Sequence, residues 1–192
     1  GRVGRPPYAN MKRPMIAGAL ALAAVSALAQ EQRWPALERY EPMVVPLDNP
    51  MTEPKVELGR QLFYDTRLSG DRSRACVSCH RPEHGLTEGG TPTSGAYDTP
   101  NGRSCPSLWN AGYQQAFFWE GAVRSLEQAI FGVWKFEMAP GGPGRLSTLD
   151  VAARLNGIPG YRRQFGRIFG REAAGETAPK ALGAYVRTRV AR

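Results

Sequence analysis

Cysteine and histidine are scarce in this sequence, with three of one and two of the other in 192 residues. Three cysteines are an odd count and make no disulfide framework. Acidic residues are absent from the first thirty positions, where Arg2, Arg5, Lys12 and Arg13 carry part of the formal charge of +8. Setting those four aside leaves 21 of the 25 basic residues against 17 acidic ones. The remaining positive charges are scattered and form no stripe interleaved with aromatics, which argues against nucleic acid as a partner. Internal repeats and alternating strand patterns are also missing, so solenoids and sheet architectures are set aside.

Long apolar runs are lacking too, apart from one. Met15 to Val25 is almost purely apolar, follows the basic Met11-Lys12-Arg13 and precedes Ala27-Leu28-Ala29, a small-x-small cleavage pattern. This is the layout of an export signal that begins at Met11 and is cut after Ala29. Residues 1–29 are therefore expected to be a leader, with residues 1–10 an over-extended gene start, and the mature chain is expected in the periplasm. The apolar run is short for a membrane anchor, and no other segment is long enough to cross one, so no stable span is expected after cleavage.

What the sequence does contain is helical. Residues 30–53 are Pro-rich and aperiodic, an expected extended arm. From residue 54 onward Leu58 and Leu62 define a first helical stripe, flanked by Val56 and Phe63 and stopped at Ser69-Gly70. Residues 81–103 are rich in Gly, Thr and Pro and form a long loop, a feature that is usually functional in compact domains. Ser125-Leu126-Glu127-Gln128 reads as a capping box opening a helix with Leu126, Ala129, Ile130 and Val133 inward. Ser147 caps the next helix, with Val151 and Leu155 inward. Tyr161, Phe165, Ile168 and Phe169 mark another, and Leu182, Tyr185, Val186 and Val190 the last. The fold class expected is all-α, a helical domain over residues 54–192 with long loops.

Cys76-Val77-Ser78-Cys79-His80 is a C-x-x-C-H motif, from which a covalently bound haem, and so a cytochrome c-like all-α domain with its long loops around that haem, is expected. Two thiols three residues apart on one helical turn can each add to a vinyl group at the same porphyrin edge. The adjacent imidazole of His80 then serves as an axial iron ligand. One haem c held by Cys76, Cys79 and His80 is the expected cofactor. A zinc site would need further ligands, for which Cys105 and His84 are the remaining candidates. A C-x-x-C redox pair would sit in a βαβ context, which is missing.

The surroundings of the motif resemble the bacterial di-haem cytochrome c peroxidase and MauG-like family. Leu58-Gly59-Arg60-Gln61-Leu62-Phe63-Tyr64-Asp65 and Arg67-Leu68-Ser69-Gly70 precede it. Pro82-Glu83-His84-Gly85-Leu86-Thr87, Gly102-Arg103, Pro106-Ser107-Leu108-Trp109-Asn110-Ala111, Phe118-Trp119-Glu120-Gly121, Ser125-Leu126-Glu127 and Glu137-Met138 follow in order. The resemblance covers about residues 54–190. It implies the peroxidatic half of a di-haem enzyme, in which hydrogen peroxide is reduced at this domain's haem with electrons from a small c-type cytochrome or similar donor. It also implies that Glu137 is the acid–base carboxylate of the distal pocket and Trp119 the electron relay between two haems.

Several positions depart from the family. Where members commonly carry a distal His within Gly-His-Gly, counting from His80 to Arg103 finds Ala96, with Tyr97 next, which implies an open iron face. His84 belongs to a structural turn. Ser104 replaces the Asn near an interdomain calcium, so calcium is an implied ion that this departure speaks against. Cys105 replaces Thr or Ser and is expected to be a buried free thiol. The stretch from Gly132 to Glu137 is shortened. The chain carries one haem motif where the family has two, and is expected to be an N-terminal fragment lacking the second haem domain. The competing expectation is a mono-haem electron-transfer cytochrome without peroxidase activity, with Met138, or less well Met51, as second axial ligand.

Overall fold

The computed structural model describes residues 42–90 and 92–191. The expected leader and the first half of the Pro-rich arm lie outside the described residues. One compact unit runs from Met43 to the C-terminus. Its helices are α1 (Glu53–Phe63), α2 (Cys76–Cys79), α3 (Leu126–Val133), α4 (Thr148–Asn156), α5 (Pro159–Phe169) and α6 (Thr177–Arg187). No β-strand occurs among the described residues, only isolated bridges such as Arg81 with Thr87 and Ser94 with Pro100. The all-α expectation holds.

Most helix ends follow the chain's own signals, but α1 stops at Phe63 instead of running to Ser69-Gly70, because Asp65 opens a separate short turn over Thr66–Leu68. Pro54 and Pro159 sit in first turns, where a missing N–H costs nothing. At α4 the capping box is complete, with Asp150 N–H donating to Ser147 Oγ (3.4 Å) and Ser147 N–H to Asp150 Oδ2 (2.8 Å). At α3 the Ser125 hydroxyl accepts from Gln128 N–H at 3.1 Å, which is half of such a box. Gly170 ends α5 in a left-handed conformation (φ 68°).

The core forms where α1 and α6 lie against each other. Leu58, Leu62, Phe63, Ala181, Leu182 and Tyr185 are buried there, joined by Trp134, Val151, Leu155 and Phe165. Gly59 is what allows the close approach, because a Cβ at that position would run into the carbonyl of Ala181 and the Cβ of Tyr185. A smaller cluster of Ala111, Phe117, Leu126, Ala129 and Val186 extends the core, with Leu108 and Ile130 touching both.

A polar network ties the end of the arm to this frame. Arg187 of α6 donates to both oxygens of Glu127 in α3, at 2.5 and 3.1 Å. Asn49, fully buried, donates to Glu127 Oε1 (2.7 Å) and the Lys180 carbonyl (3.0 Å), and accepts from Lys55 Nζ (2.9 Å). Burial pushes the Glu127 carboxyl upward, but the hydrogen bonds from Arg187 and Asn49 outweigh it and hold the group below its usual range. Burial lowers Lys55 in turn. Each charge in this network has a partner, which is what makes its burial tolerable.

Candidate functional site

The C-x-x-C-H segment folds as a single helical turn because its ends are tied locally. Ala75 N–H donates to Ser78 Oγ (3.0 Å), and His80 N–H donates to the Cys76 carbonyl (3.0 Å). Cys76, Cys79 and His80 then line one cleft of about 1050 Å³, whose other walls include Phe63, Leu108, Leu126, Ile130, Trp134 and Leu182. Its size is at the upper end of the roughly 300–1,000 Å³ found for small-molecule and cofactor sites, and its lining is mostly apolar.

The chemistry of the donors fits a haem. His80 Nδ1 lies 3.0 Å from the Leu86 carbonyl, which can only accept, so the ring proton sits on Nδ1 and Nε2 presents its lone pair. Burial pulls His80 below the usual imidazole range, against the carbonyls of Leu86 and Pro106, and this favours the neutral ring that binds metal. Both motif cysteines are free thiols, and burial pushes the Cys76 thiol up to about 12. Cys76 is therefore held as a neutral S–H, and adding an S–H across a vinyl double bond leaves the charge unchanged.

A carboxylate that sequence reasoning missed organises this side of the cleft. Glu88 is buried and accepts from Thr93 N–H (3.1 Å), Thr93 Oγ1 (3.3 Å) and Cys105 N–H (3.0 Å). Burial raises it, but these donors and Ser104 together hold it below its usual range. Thr93 Oγ1 is also 2.8 Å from Cys79 Sγ, and Cys105 Sγ donates to the Cys79 carbonyl at 3.1 Å. Cys105, expected as a buried thiol, is half-buried and lines the cleft. Nothing in the local pattern Leu86-Thr87-Glu88-Gly89-Gly90 distinguishes Glu88 from a solvated loop acid, since its donors come from residues 5 to 17 positions away.

Glu137 reaches the same cleft by a different device. The stretch after α3 is a π-turn, Trp134–Met138, closed by Ala139 N–H to the Trp134 carbonyl at 2.8 Å. Widened turns of this kind recur at functional sites because they swing a side chain off the helical register. Three contacts fix this one. Trp134, 1 % exposed, donates Nε1–H to the Leu68 carbonyl (2.9 Å), and Gly70 N–H donates to the Met138 carbonyl (2.7 Å). Gly95 backs onto the Glu137 carbonyl so closely that a Cβ there would collide. The Glu137 carboxyl is raised by burial first and by the charge of Glu88 second. Met138 is buried and also lines the cleft, whereas Met51 does not.

The other expected residues fall as follows. Trp119 is 89 % exposed at the rim of the cleft, carried on a turn in which Phe118 takes φ 63° and Gly121 N–H closes on the Phe118 carbonyl (3.1 Å). Ala96, at the counted position of the distal ligand, is fully buried and does not line the cleft. Tyr97 points elsewhere. Its N–H donates to Asp71 Oδ2 (2.6 Å), and its hydroxyl accepts from Leu146 N–H (2.8 Å). His84 is exposed in the Pro82–His84 turn, outside the cleft.

Comparison with known proteins finds relatives for both the sequence and the fold. The profile of a family described as di-haem cytochrome c peroxidase matches residues 53–192. Cytochrome-c peroxidase IdrP1 of Denitromonas iodatirespirans is 42 % identical over 175 residues, covering 88 % of this chain and 46 % of that protein. Methylamine utilization protein MauG of Methylophilus methylotrophus is 31 % identical over 160 residues, covering 80 % and 45 %. Among solved structures, a MauG-like protein associated with microbial copper homeostasis superposes with a TM-score of 0.68 at 29 % identity, over 83 % of this chain and 47 % of that one. The di-haem peroxidase BthA of Burkholderia thailandensis, at 18 % identity and a TM-score of 0.60, shares the fold. The chain spans about half the length of the curated relatives it matches.

Proposed function

This chain belongs to the di-haem cytochrome c peroxidase family, and from that premise we propose that it is the peroxidatic haem domain of such an enzyme, reducing hydrogen peroxide with electrons from a c-type cytochrome or a similar donor. The observation that carries the proposal is the convergence of Cys76, Cys79, His80 and Glu137 on a single cleft. Cys76 and Cys79 would tether the haem by thioether bonds, and His80 would ligate its iron through Nε2. A haem so held supplies a redox-active iron at which a peroxide O–O bond can be reduced.

The chain's own residues supply the proton handling. In its ionised form Glu137 can accept a proton from one peroxide oxygen and return it to the departing one. Its raised pKa makes the ionised carboxylate the stronger base, which favours the first of these two transfers. Ala96 and Tyr97 place no side chain in the cleft, which leaves the region facing Glu137 open to a small oxidant.

Trp119 stands at the rim, where an easily oxidised indole can pass an electron inward from a donor seated outside. Trp119→Phe is expected to slow reduction of the haem by an external cytochrome several-fold, with unchanged haem content. Stopped-flow spectroscopy reads both, and an unaltered rate would remove Trp119 from the route. The leader expected at residues 1–29 supports a periplasmic site of action, where c-type haem is attached. No helix among the described residues is long and apolar enough to cross a membrane.

The test is optical. Protein made in a strain competent for cytochrome maturation should carry thioether-linked haem by mass and show a high-spin ferric spectrum that changes on adding peroxide. Met138 lines the cleft and could instead ligate the iron. A stable low-spin His/Met spectrum, unmoved by peroxide, would therefore replace the peroxidase reading with the electron-transfer one.

A further inference from the structure

One cation in the cleft has an unused donor. Arg74 lies two residues before Cys76, and its backbone is fixed by N–H donation to the buried Ser69 hydroxyl at 3.1 Å. Its side chain lines the haem cleft. The Nε–H is buried and has no hydrogen-bond partner. The terminal nitrogen meets only Asp98, at 3.5 Å, and that carboxylate is 92 % exposed. A contact of that length to a solvated side chain contributes little. Burying a guanidinium N–H without an acceptor is costly, so the geometry calls for an acceptor that enters the cleft from elsewhere.

The rest of the molecule narrows what that acceptor is. Among the described residues the other buried unpartnered nitrogen, Arg187 Nε, belongs to a side chain whose terminal nitrogens already hold Glu127. Arg103 also lines the cleft, but it is engaged with Glu120 at 2.8 Å on the exposed side. Arg74 alone among the cleft's cations presents a sheltered donor without a protein partner. Guanidinium offers two parallel N–H groups in a fixed fork that matches a carboxylate. The acidic groups of a haem are its two propionates.

Resting on the reading of this cleft as a haem site, we infer that Arg74 binds a propionate of the covalently attached haem through Nε–H and a terminal N–H. Arg74 is then a cofactor-positioning residue that fixes the ring's orientation through its propionate side. It also places a fixed positive charge beside the porphyrin, which favours the ferrous state over the ferric. Asp98 becomes a solvent-side companion that the guanidinium meets loosely.

The experiment uses the holoprotein and two readouts independent of turnover: the propionate bending band in resonance Raman spectra and the haem midpoint potential. Arg74→Gln should move the band to the lower frequency of a less strongly hydrogen-bonded carboxylate and shift the potential downward. Arg74→Lys should fall between Gln and wild type, and it keeps the test usable if the Gln variant retains haem poorly. Asp98→Asn should leave the propionate band at its wild-type position. Band and potential both unchanged in Arg74→Gln would overturn the inference, as would Asp98→Asn reproducing the Gln band shift. Absence of thioether-linked haem from the wild-type chain would overturn the haem reading itself, and the mass spectrum taken first separates that failure from the other.

Discussion

Glu137→Gln is expected to lower the rate of peroxide consumption by about 10²–10⁴-fold, the range lost when a positioned acid–base group is removed. Haem content and both thioether bonds should be unchanged, because Glu137 contacts neither cysteine. Glutamine has nearly the same shape and keeps the π-turn intact, so the loss isolates proton transfer from packing. The wild-type rate should fall as pH drops through the Glu137 pKa, which burial and Glu88 place above the ordinary carboxylate range. Only the ionised form accepts the first proton, and the Gln variant should show no such inflection.

Stability gives the control. A carboxyl whose folded pKa is raised contributes stability that is full below its unfolded pKa and is lost as pH rises through the folded value. At neutral pH glutamine avoids that loss, so the variant should unfold at no lower urea concentration than wild type. Peroxide consumption by Glu137→Gln within a few-fold of wild type would remove Glu137 from the chemistry.

Trp134→Ala should cost about 3–5 kcal/mol of folding stability, the range for emptying a large aromatic from a packed core. The side chain is 1 % exposed, and its indole N–H is what satisfies the Leu68 carbonyl. Its backbone carbonyl also closes the π-turn by accepting from Ala139 N–H. Trp134→Phe restores most of the volume but leaves the Leu68 carbonyl unpaired, at about 1–3 kcal/mol. Urea unfolding measures both costs. The Phe variant is the informative one, because it should stay folded yet turn over peroxide more slowly as the Glu137 turn loses its anchor. A Phe variant equal to wild type in stability and rate would show that the indole bond neither holds the turn nor serves the site.

These two residues show how legibility divides. Glu137 was legible through the resemblance of Glu137-Met138 to family members, whereas the turn that aims it was not. The structure winds Trp134–Met138 as a widened turn that continues α3. No periodicity announces a π-turn, since it is selected by the tertiary partners of Trp134, Gly70 and Gly95. Ala96 was found by counting, but only the fold shows that this position is buried and turned away from the cleft. Glu88 and Arg74 were not visible at all. Each looks like an ordinary loop charge until distant residues are brought around it.

By itself the sequence determined the helical class, where the capped helices start and the haem motif. These rest on interactions within a few residues: apolar spacing at three and four, caps at Ser125 and Ser147, prolines in first turns, and two thiols on one turn. The tertiary structure alone decided which charges are buried, which donors lack partners and which side chains meet in the cleft. Burial and pairing depend on groups far apart in the chain, such as Glu88 with Cys105 or Glu127 with Arg187. A local pattern carries no record of them.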